Sequence, residues 1–148
     1  MIVFFLCRIL IFSPVMVSGV SMEPTLCDGN VLWIKKFDVL SVDRLDIVVV
    51  NIDGKHYIKR VIGLPGETLL VHENGVLVDG TPCADPYYRN DNSCGTGRVI
   101  TLGRDEIFVV GDNRNNSIDS RTFGAVKYEQ VEGIAFLIIF PKFDLLWN

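Results

Sequence analysis

The feature that most constrains the fold is a series of short runs of β-branched and aromatic residues, separated by turn residues. The pairs Asp53-Gly54 and Asn74-Gly75 join neighbouring runs and predict tight hairpins. No amphipathic pattern extends beyond a turn or two of helix. The sequence therefore predicts an all-β fold, a compact β barrel or sandwich of many short strands. The predicted strands cover residues 31–34, 47–50, 56–62, 68–71, 76–78, 99–102, 107–110 and 133–140.

Composition limits the partners that this chain can bind. Its 148 residues carry a net charge of -4, with both signs mixed along the chain. No basic stripe is present to neutralise phosphates, so nucleic acid is not an expected partner. The four cysteines and two histidines do not cluster as zinc ligands do. No metal or organic cofactor is expected.

The amino-terminal segment is strongly apolar from residue 1 to residue 12, interrupted only by Arg8, and Ser13-Pro14 follows it. A bilayer-spanning helix needs roughly 20 apolar residues, so this run is short. A secretory signal peptide would begin with a basic region, and none precedes Ile2. We therefore expect residues 1–17 to be a shortened membrane anchor that associates with the lipid surface, and residues 18–148 to form the β domain.

A candidate nucleophile lies in the stretch of residues 18–26, where a glycine turn presents Ser21. Pro24 has a fixed φ and restricts Glu23 to extended conformations, so the segment is rigid and not helical. A rigid, accessible position suits a nucleophilic hydroxyl. A serine in a turn is more often only a turn former, and residues 18–26 alone leave both interpretations open.

Lys59 is the candidate general base. Strand alternation places it on the same face as Tyr57 and Val61, where loss of hydration would lower its pKa. A neutral amine could then accept the proton of the Ser21 hydroxyl. The alternative is a surface lysine on a strand edge. His56 is the rival base, but alternation puts it on the opposite face, and we interpret it as a strand-edge residue.

Three motifs in order, at residues 18–26, 57–67 and 111–121, resemble those of the bacterial type I signal peptidases. The resemblance extends from about residue 12 to residue 143. This family consists of membrane-bound serine proteases of the Ser/Lys type that remove signal peptides from exported preproteins. The resemblance implies an all-β catalytic domain on the extracytoplasmic side of the bacterial cytoplasmic membrane. Signal peptides and the lipid surface would be its partners.

The resemblance also implies roles for individual residues. Ser21 would be the nucleophile and Lys59 the base. Ser117 would hydrogen-bond the lysine amine and orient it. Asp119 and Arg121 would form an ion pair that holds their loop against the site.

The sequence departs from the family pattern at two places. Some members have a serine hydroxyl as an oxyanion donor where this chain has Gly19, which leaves the backbone N–H of Ser21 as the natural first donor. Leu45 stands where the family usually has glycine, and we expect this change to alter a turn and leave the mechanism intact.

Cys83 and Cys94 bracket a polar loop and could form a disulfide in an oxidising compartment. Two free thiols are the alternative.

Two other functions fit parts of the sequence. A Ser/Lys autoprotease of the repressor-cleaving kind would share the two candidate residues, but it would need a DNA-binding helical module. A membrane-apposed β module with vestigial catalytic motifs is the other alternative.

Overall fold

Two antiparallel sheets contain all the strands in the described part of the chain. A computed structural model describes residues 11–36, 39–72, 75–83, 85–87, 97–140 and 144–145. The larger sheet consists of β1 (Phe12–Met16), β2 (Val31–Lys35), β3 (Ile47–Ile52), β4 (Lys55–Gly63), β9 (Glu106–Val110), β10 (Val126–Lys127), β11 (Val131–Phe140) and β12 (Asp144–Leu145). The smaller sheet consists of β5 (Thr68–His72), β6 (Gly75–Val78), β7 (Thr81–Pro82) and β8 (Arg98–Thr101).

The strand order in the larger sheet is β1-β2-β11-β3-β4-β9-β10, with β12 paired to β11, and the order in the smaller sheet is β7-β6-β5-β8. The helices that lie wholly within the described residues are short: α1 (Ser120–Phe123) and the 3-10 turns Val39–Ser41 and Tyr128–Gln130. Within the described ranges, no helix has the length and hydropathy that a bilayer span requires. The predicted all-β fold class is confirmed.

The hairpin between β3 and β4 shows how the sequence sets the register. Asp53 and Gly54 have φ values of 51° and 79°, so both central residues take the left-handed conformation of the tightest hairpin turns. Val48 is consequently opposite Lys59 in the ladder, and Val49 is opposite Ile58. Asn74 of the second predicted turn lies outside the described residues, but β5 and β6 on either side of it do pair.

Strand β4 contacts each of the three hydrophobic clusters that form the core. Ile58 packs against the first cluster, Val61 belongs to the second and Ile62 to the third. Hydrogen bonds to β3 and β9 hold the strand on both edges. A side chain carried by β4 is therefore held on a rigid element, which is the requirement for a precise site.

The turn before β3 places a leucine in a backbone conformation that favours glycine. Leu45 has a φ of 75°, and its N–H donates to the Val61 carbonyl at 2.8 Å. Leucine thus occupies this turn with a glycine-like backbone, at the position where the resemblance implied a glycine.

The amino-terminal boundary differs from the expected one. Residues 1–10 of the expected anchor lie outside the described residues. Phe12–Met16, however, form β1 and pair with β2, and Val17 is 4% exposed within the first core cluster. Residues 12–17 thus belong to the β domain, because their alternating side chains complete one face of the larger sheet.

Candidate active site

Ser21 lies in the loop that joins β1 to β2. Met22 and Leu26 of this loop are buried in the first core cluster, and the Leu26 N–H donates to the Met22 carbonyl at 2.9 Å. Gly19 N–H donates to Asp28 Oδ1 at 2.7 Å across the base of the loop. The loop is thus anchored on both sides of Ser21, which is itself half-buried.

Lys59 reaches the loop of residues 17–30, called the nucleophile loop after the candidate nucleophile Ser21, from the centre of the larger sheet. Its Nζ lies 2.7 Å from Ser21 Oγ and donates to the Ile58 carbonyl at 2.8 Å. The amine also lies 5.7 Å from the centre of the Tyr57 ring, in agreement with the predicted shared face. Only 2% of the lysine is exposed. The structure thus brings the two principal candidates into contact.

Burial changes the proton affinity of this amine. Loss of hydration lowers the pKa of Lys59 to about 8, against a smaller opposing effect of the Asp119 and Asp112 carboxylates. At neutral pH about a tenth of such an amine is uncharged, compared with roughly three in ten thousand for an ordinary lysine. A base is therefore available at physiological pH.

The loop after β9 closes the site from the other side. Gly111 is essential to this approach, because a Cβ there would lie 2.2 Å from Ser117 Oγ and 2.5 Å from the Ser21 carbonyl oxygen. Gly111 N–H donates to Asp119 Oδ2 at 2.9 Å. The carboxylate of Asp119 thereby connects the end of β9 to the start of α1.

Asp119 and Arg121 form the predicted ion pair, with Arg121 Nε and Nη2 donating to the carboxylate at 2.9 and 2.8 Å. Asp119 is fully buried and also caps the first turn of α1. Burial alone would raise the pKa of this carboxyl, but the hydrogen bonds from Arg121 and Gly111 outweigh burial and lower it. The side chain is therefore a buried anion at neutral pH, and its charge acts on Lys59.

The Ser117 Oγ atom is buried in the loop that follows β9. It is close enough to Asp119 to help lower the pKa of that carboxyl, yet it has no partner with hydrogen-bond geometry in the described part of the chain. The predicted hydrogen bond from Ser117 to Lys59 is not present in this structure.

Comparison with known proteins identifies the family of this chain. The family model described as "Signal peptidase, peptidase S26" matches residues 1–140. A signal peptidase I P of Bacillus subtilis subsp. natto is 37% identical over 95% of this chain and 84% of its own length. A signal peptidase I of Bacillus caldolyticus is 39% identical over 85% of this chain and 78% of its own length.

A solved structure of a signal peptidase I from Enterococcus faecalis is also similar. It has a TM-score of 0.53 and 31% identity, and it covers 64% of this chain and 96% of its own. The chain belongs to the signal peptidase family. Signal peptidases are serine endopeptidases that remove signal peptides from preproteins, and this chain has that activity.

A groove runs from the Ser21–Lys59 contact of this signal peptidase along the inner side of β1. Its volume is about 230 Å³. Because β1 and β4 both line it, the larger sheet must curl enough to bring its edge strand close to β4. The lining residues are Val15, Met16, Val17, Ser18, Ser21, Met22, Val49, His56, Tyr57, Ile58 and Lys59.

His56, the rival base, lies at the exposed end of this groove. Its Nδ1 lies 2.8 Å from Glu132 Oε2, and 60% of its side chain is exposed. The histidine therefore has a carboxylate partner on the surface, whereas the contact with Ser21 Oγ is made by Lys59.

The sequence analysis missed the buried ion pair of Arg60 and Asp112. Arg60 Nε and Nη2 donate to the Asp112 carboxylate at 2.8 and 2.7 Å, and Nη1 donates to the Leu45 carbonyl at 2.9 Å. Asp112 looks like a turn former in the sequence. The available signal was an arginine directly before the apolar pair Val61-Ile62 in a predicted strand, because a buried guanidinium needs a counter-ion.

A second missed contact joins the segment of residues 85–87 to the site. Arg114 pairs with Asp85, and its Nε donates to the Gly111 carbonyl at 3.0 Å. The Tyr87 hydroxyl lies 2.5 Å from Thr25 Oγ1 in the nucleophile loop. These residues are far apart in the chain, so no local pattern predicts their contacts.

The predicted disulfide between Cys83 and Cys94 stays a prediction, because Cys83 is buried and Cys94 lies outside the described residues. A thiol count on protein isolated from an oxidising compartment would decide it. Within the described ranges, no group of three or more His, Cys, Asp or Glu side chains could hold a metal ion.

The lowered pKa of Lys59 predicts how folding stability depends on pH. The lysine titrates near 10.5 when unfolded and at about 8 when folded. Between these values the unfolded state binds more protons, so stability should rise with pH through this window. Relative to a Lys59→Met variant, the wild type should gain up to about 3 kcal/mol between pH 7 and pH 10.5.

Chemical denaturation at several pH values measures this difference. Lys55→Met, at the exposed start of the same strand, is the matched control and should show a constant difference from the wild type. A constant difference for Lys59→Met as well would contradict the lowered pKa.

Proposed function

We propose that Ser21 and Lys59 form a catalytic dyad that cleaves signal peptides from exported preproteins, after a small residue. The observation that carries the proposal is the 2.7 Å contact between Lys59 Nζ and Ser21 Oγ, made by a lysine that is almost fully buried. A catalytically inactive module would not require this contact, and burying an amine is unfavourable for folding.

In the first half of the reaction, the neutral Lys59 amine takes the Ser21 proton as Oγ attacks the scissile carbonyl carbon. The tetrahedral intermediate then collapses, and the bond from carbon to the leaving nitrogen breaks. The Lys59 ammonium returns its proton to that nitrogen, which leaves as the amine of the mature protein. The signal peptide stays attached to Ser21 as an ester.

In the second half, water attacks the ester while Lys59 accepts one of its protons. The intermediate collapses with release of the signal peptide as a carboxylic acid, which ionises in water, and the Lys59 proton returns to Ser21 Oγ. The dyad is thus restored without a cofactor.

The oxyanion of both intermediates needs preorganised donors. We assign the Ser21 N–H as the first of them. Gly19 offers no hydroxyl at the position where some family members have one. Its side-chain-free backbone, with a φ of 88° and nothing within 4 Å of an added Cβ, leaves space for a substrate strand to approach.

We assign Ser117 as the group that receives the Lys59 amine and orients it during proton transfer. Its buried, unpartnered hydroxyl supports this role. Asp119 and Arg121 would keep the loop after β9 in place, because their ion pair connects α1 to the end of that strand.

The substrate would bind as an extended strand along the groove. From Ser13 to Met16, β1 pairs only with β2 within the described part of the sheet, so the other edge of this stretch can accept main-chain hydrogen bonds. Val15 and Ile58 present apolar side chains to the groove and would favour small apolar residues before the cleaved bond.

Substitution of the dyad tests the proposal. Lys59→Arg should abolish cleavage of a preprotein whose signal peptide ends in Ala-x-Ala, because a guanidinium stays protonated and cannot act as a base. Ser21→Ala should be equally inactive while the circular dichroism spectrum stays unchanged. Lys55→Arg is the control and should cleave at the wild-type rate. Substantial activity in Lys59→Arg would show that another group is the base.

We further propose that residues 1–10 tether the domain to the outer surface of the cytoplasmic membrane. The run is apolar, and Met16 and Val20, close to Ser21, are 69% and 38% exposed. Exposed apolar side chains beside a site are typical of contact with lipid or another apolar partner.

Vesicle binding tests the tether. Joint replacement of Leu6 and Ile9 by Asp should strongly reduce sedimentation of the full chain with anionic lipid vesicles, because charges oppose insertion of the run. Leu40→Asp, which alters an exposed leucine elsewhere, is the control and should bind as the wild type does. Equal binding of the double variant would reject the tether.

A further inference from the structure

Two peptide groups flank the Cα of Ser21, and Asn113 donates a hydrogen bond to each of them. Its backbone N–H donates to the Ser21 carbonyl at 3.0 Å. Its side-chain Nδ2 donates to the Val20 carbonyl at 3.1 Å. The amide nitrogen must face Val20, because a carbonyl oxygen can only accept.

The hydrogen bond to the Val20 carbonyl orients the whole peptide group between Val20 and Ser21. The bond between Val20 and Ser21 is trans, since the only cis peptide bond in the described part of the chain is Glu23-Pro24. In a planar trans peptide group, the N–H points opposite to the C=O. Fixing the direction of the Val20 carbonyl therefore fixes the direction of the Ser21 N–H.

The Ser21 N–H is available for a ligand. Among the described residues, no acceptor lies on it, whereas the neighbouring Val20 carbonyl accepts from both Asn113 and the Glu23 N–H at 3.2 Å. A donor held in direction but left without a partner is the arrangement that stabilises a developing oxyanion. Donation to the Val20 carbonyl also polarises the peptide group and strengthens its N–H as a donor.

Asn113 is itself held firmly. It follows Asp112, whose carboxylate is buried and paired with Arg60. The missing Cβ of Gly111 lets this loop approach the Ser21 carbonyl. Asn116 N–H donates to the Asn113 carbonyl at 3.0 Å and closes the turn. Asn113 thus makes its two hydrogen bonds to the nucleophile loop from a rigid turn.

We propose that Asn113 is a positioning residue for catalysis: it aims the Ser21 N–H at the oxyanion and holds the serine backbone that presents Oγ to Lys59. The inference rests on the proposed function. Asn113 acts through the peptide groups of the nucleophile loop, and its hydrogen bonds include neither Lys59 nor Ser21 Oγ. Its side chain should therefore affect kcat and leave the pKa of the base unchanged.

Two variants of Asn113 and one matched control test this role. Asn113→Ala removes the side-chain donor, and Asn113→Asp keeps its size but presents an acceptor to the Val20 carbonyl. Asn115→Asp makes the same charge change at an exposed position of the same loop. Steady-state kinetics are measured from pH 6 to pH 10 with an Ala-x-Ala signal-peptide substrate, and unfolding is followed by thermal denaturation.

Asn113→Ala should lower kcat by about 10- to 100-fold, with KM within twofold of the wild type. This loss is no larger than the loss of kcat that follows removal of an oxyanion donor itself. The acid limb of its kcat/KM profile should stay at the wild-type pH. Asn113→Asp should lose at least as much kcat, and Asn115→Asp should stay within twofold of the wild type.

The role is rejected if Asn113→Ala keeps kcat within twofold, if a higher KM accounts for its loss, or if Asn115→Asp loses as much as Asn113→Asp. Failure of the proposed function is a separate outcome. A wild-type protein that does not cleave the substrate would reject that function and this inference together. An active wild type with an equally active Asn113→Ala would reject this inference alone.

Discussion

The site depends on keeping an amine out of water next to a serine hydroxyl. Lys59 is carried by β4, a strand bonded on both edges and in contact with all three core clusters. Burial lowers its pKa to about 8, while the nearby Asp119 and Asp112 carboxylates oppose the shift. Burial of the amine therefore lowers the free energy of unfolding, but it also leaves the lysine partly neutral at physiological pH, where it can accept a proton.

The other parts of the site serve to bring two loops against that lysine. Leu26 and Met22 anchor the nucleophile loop in the core, and Gly111 leaves the space in which the two loops meet. Two buried ion pairs hold the loop of residues 111–119 that follows β9. Asp112 pairs with Arg60 at the start of this loop, and Asp119 pairs with Arg121 at its end. Breaking either pair would leave a buried charge without a partner, which makes the arrangement rigid.

Much of the fold could be predicted from sequence because strands are specified locally. β-Branched runs and the Asp53-Gly54 turn predicted eight of the twelve described strands and one hairpin, and alternation placed Lys59 with Tyr57. The role of residues 12–17 was not predictable, since an apolar run suits a sheet edge as well as a membrane. Asp112 and Asn113 contact residues that are distant in sequence, Arg60 of β4 and the nucleophile loop, so their residue types indicated only a turn.

The pH dependence of kcat/KM for the wild-type protein is the most direct test of the account, because it reports the essential base in the free enzyme. We predict an acid limb at about pH 8, below which kcat/KM falls tenfold per pH unit. A limb near 6.5, the ordinary value for histidine, or a limb near 10.4, that of an exposed lysine, would contradict a buried Lys59 as the base.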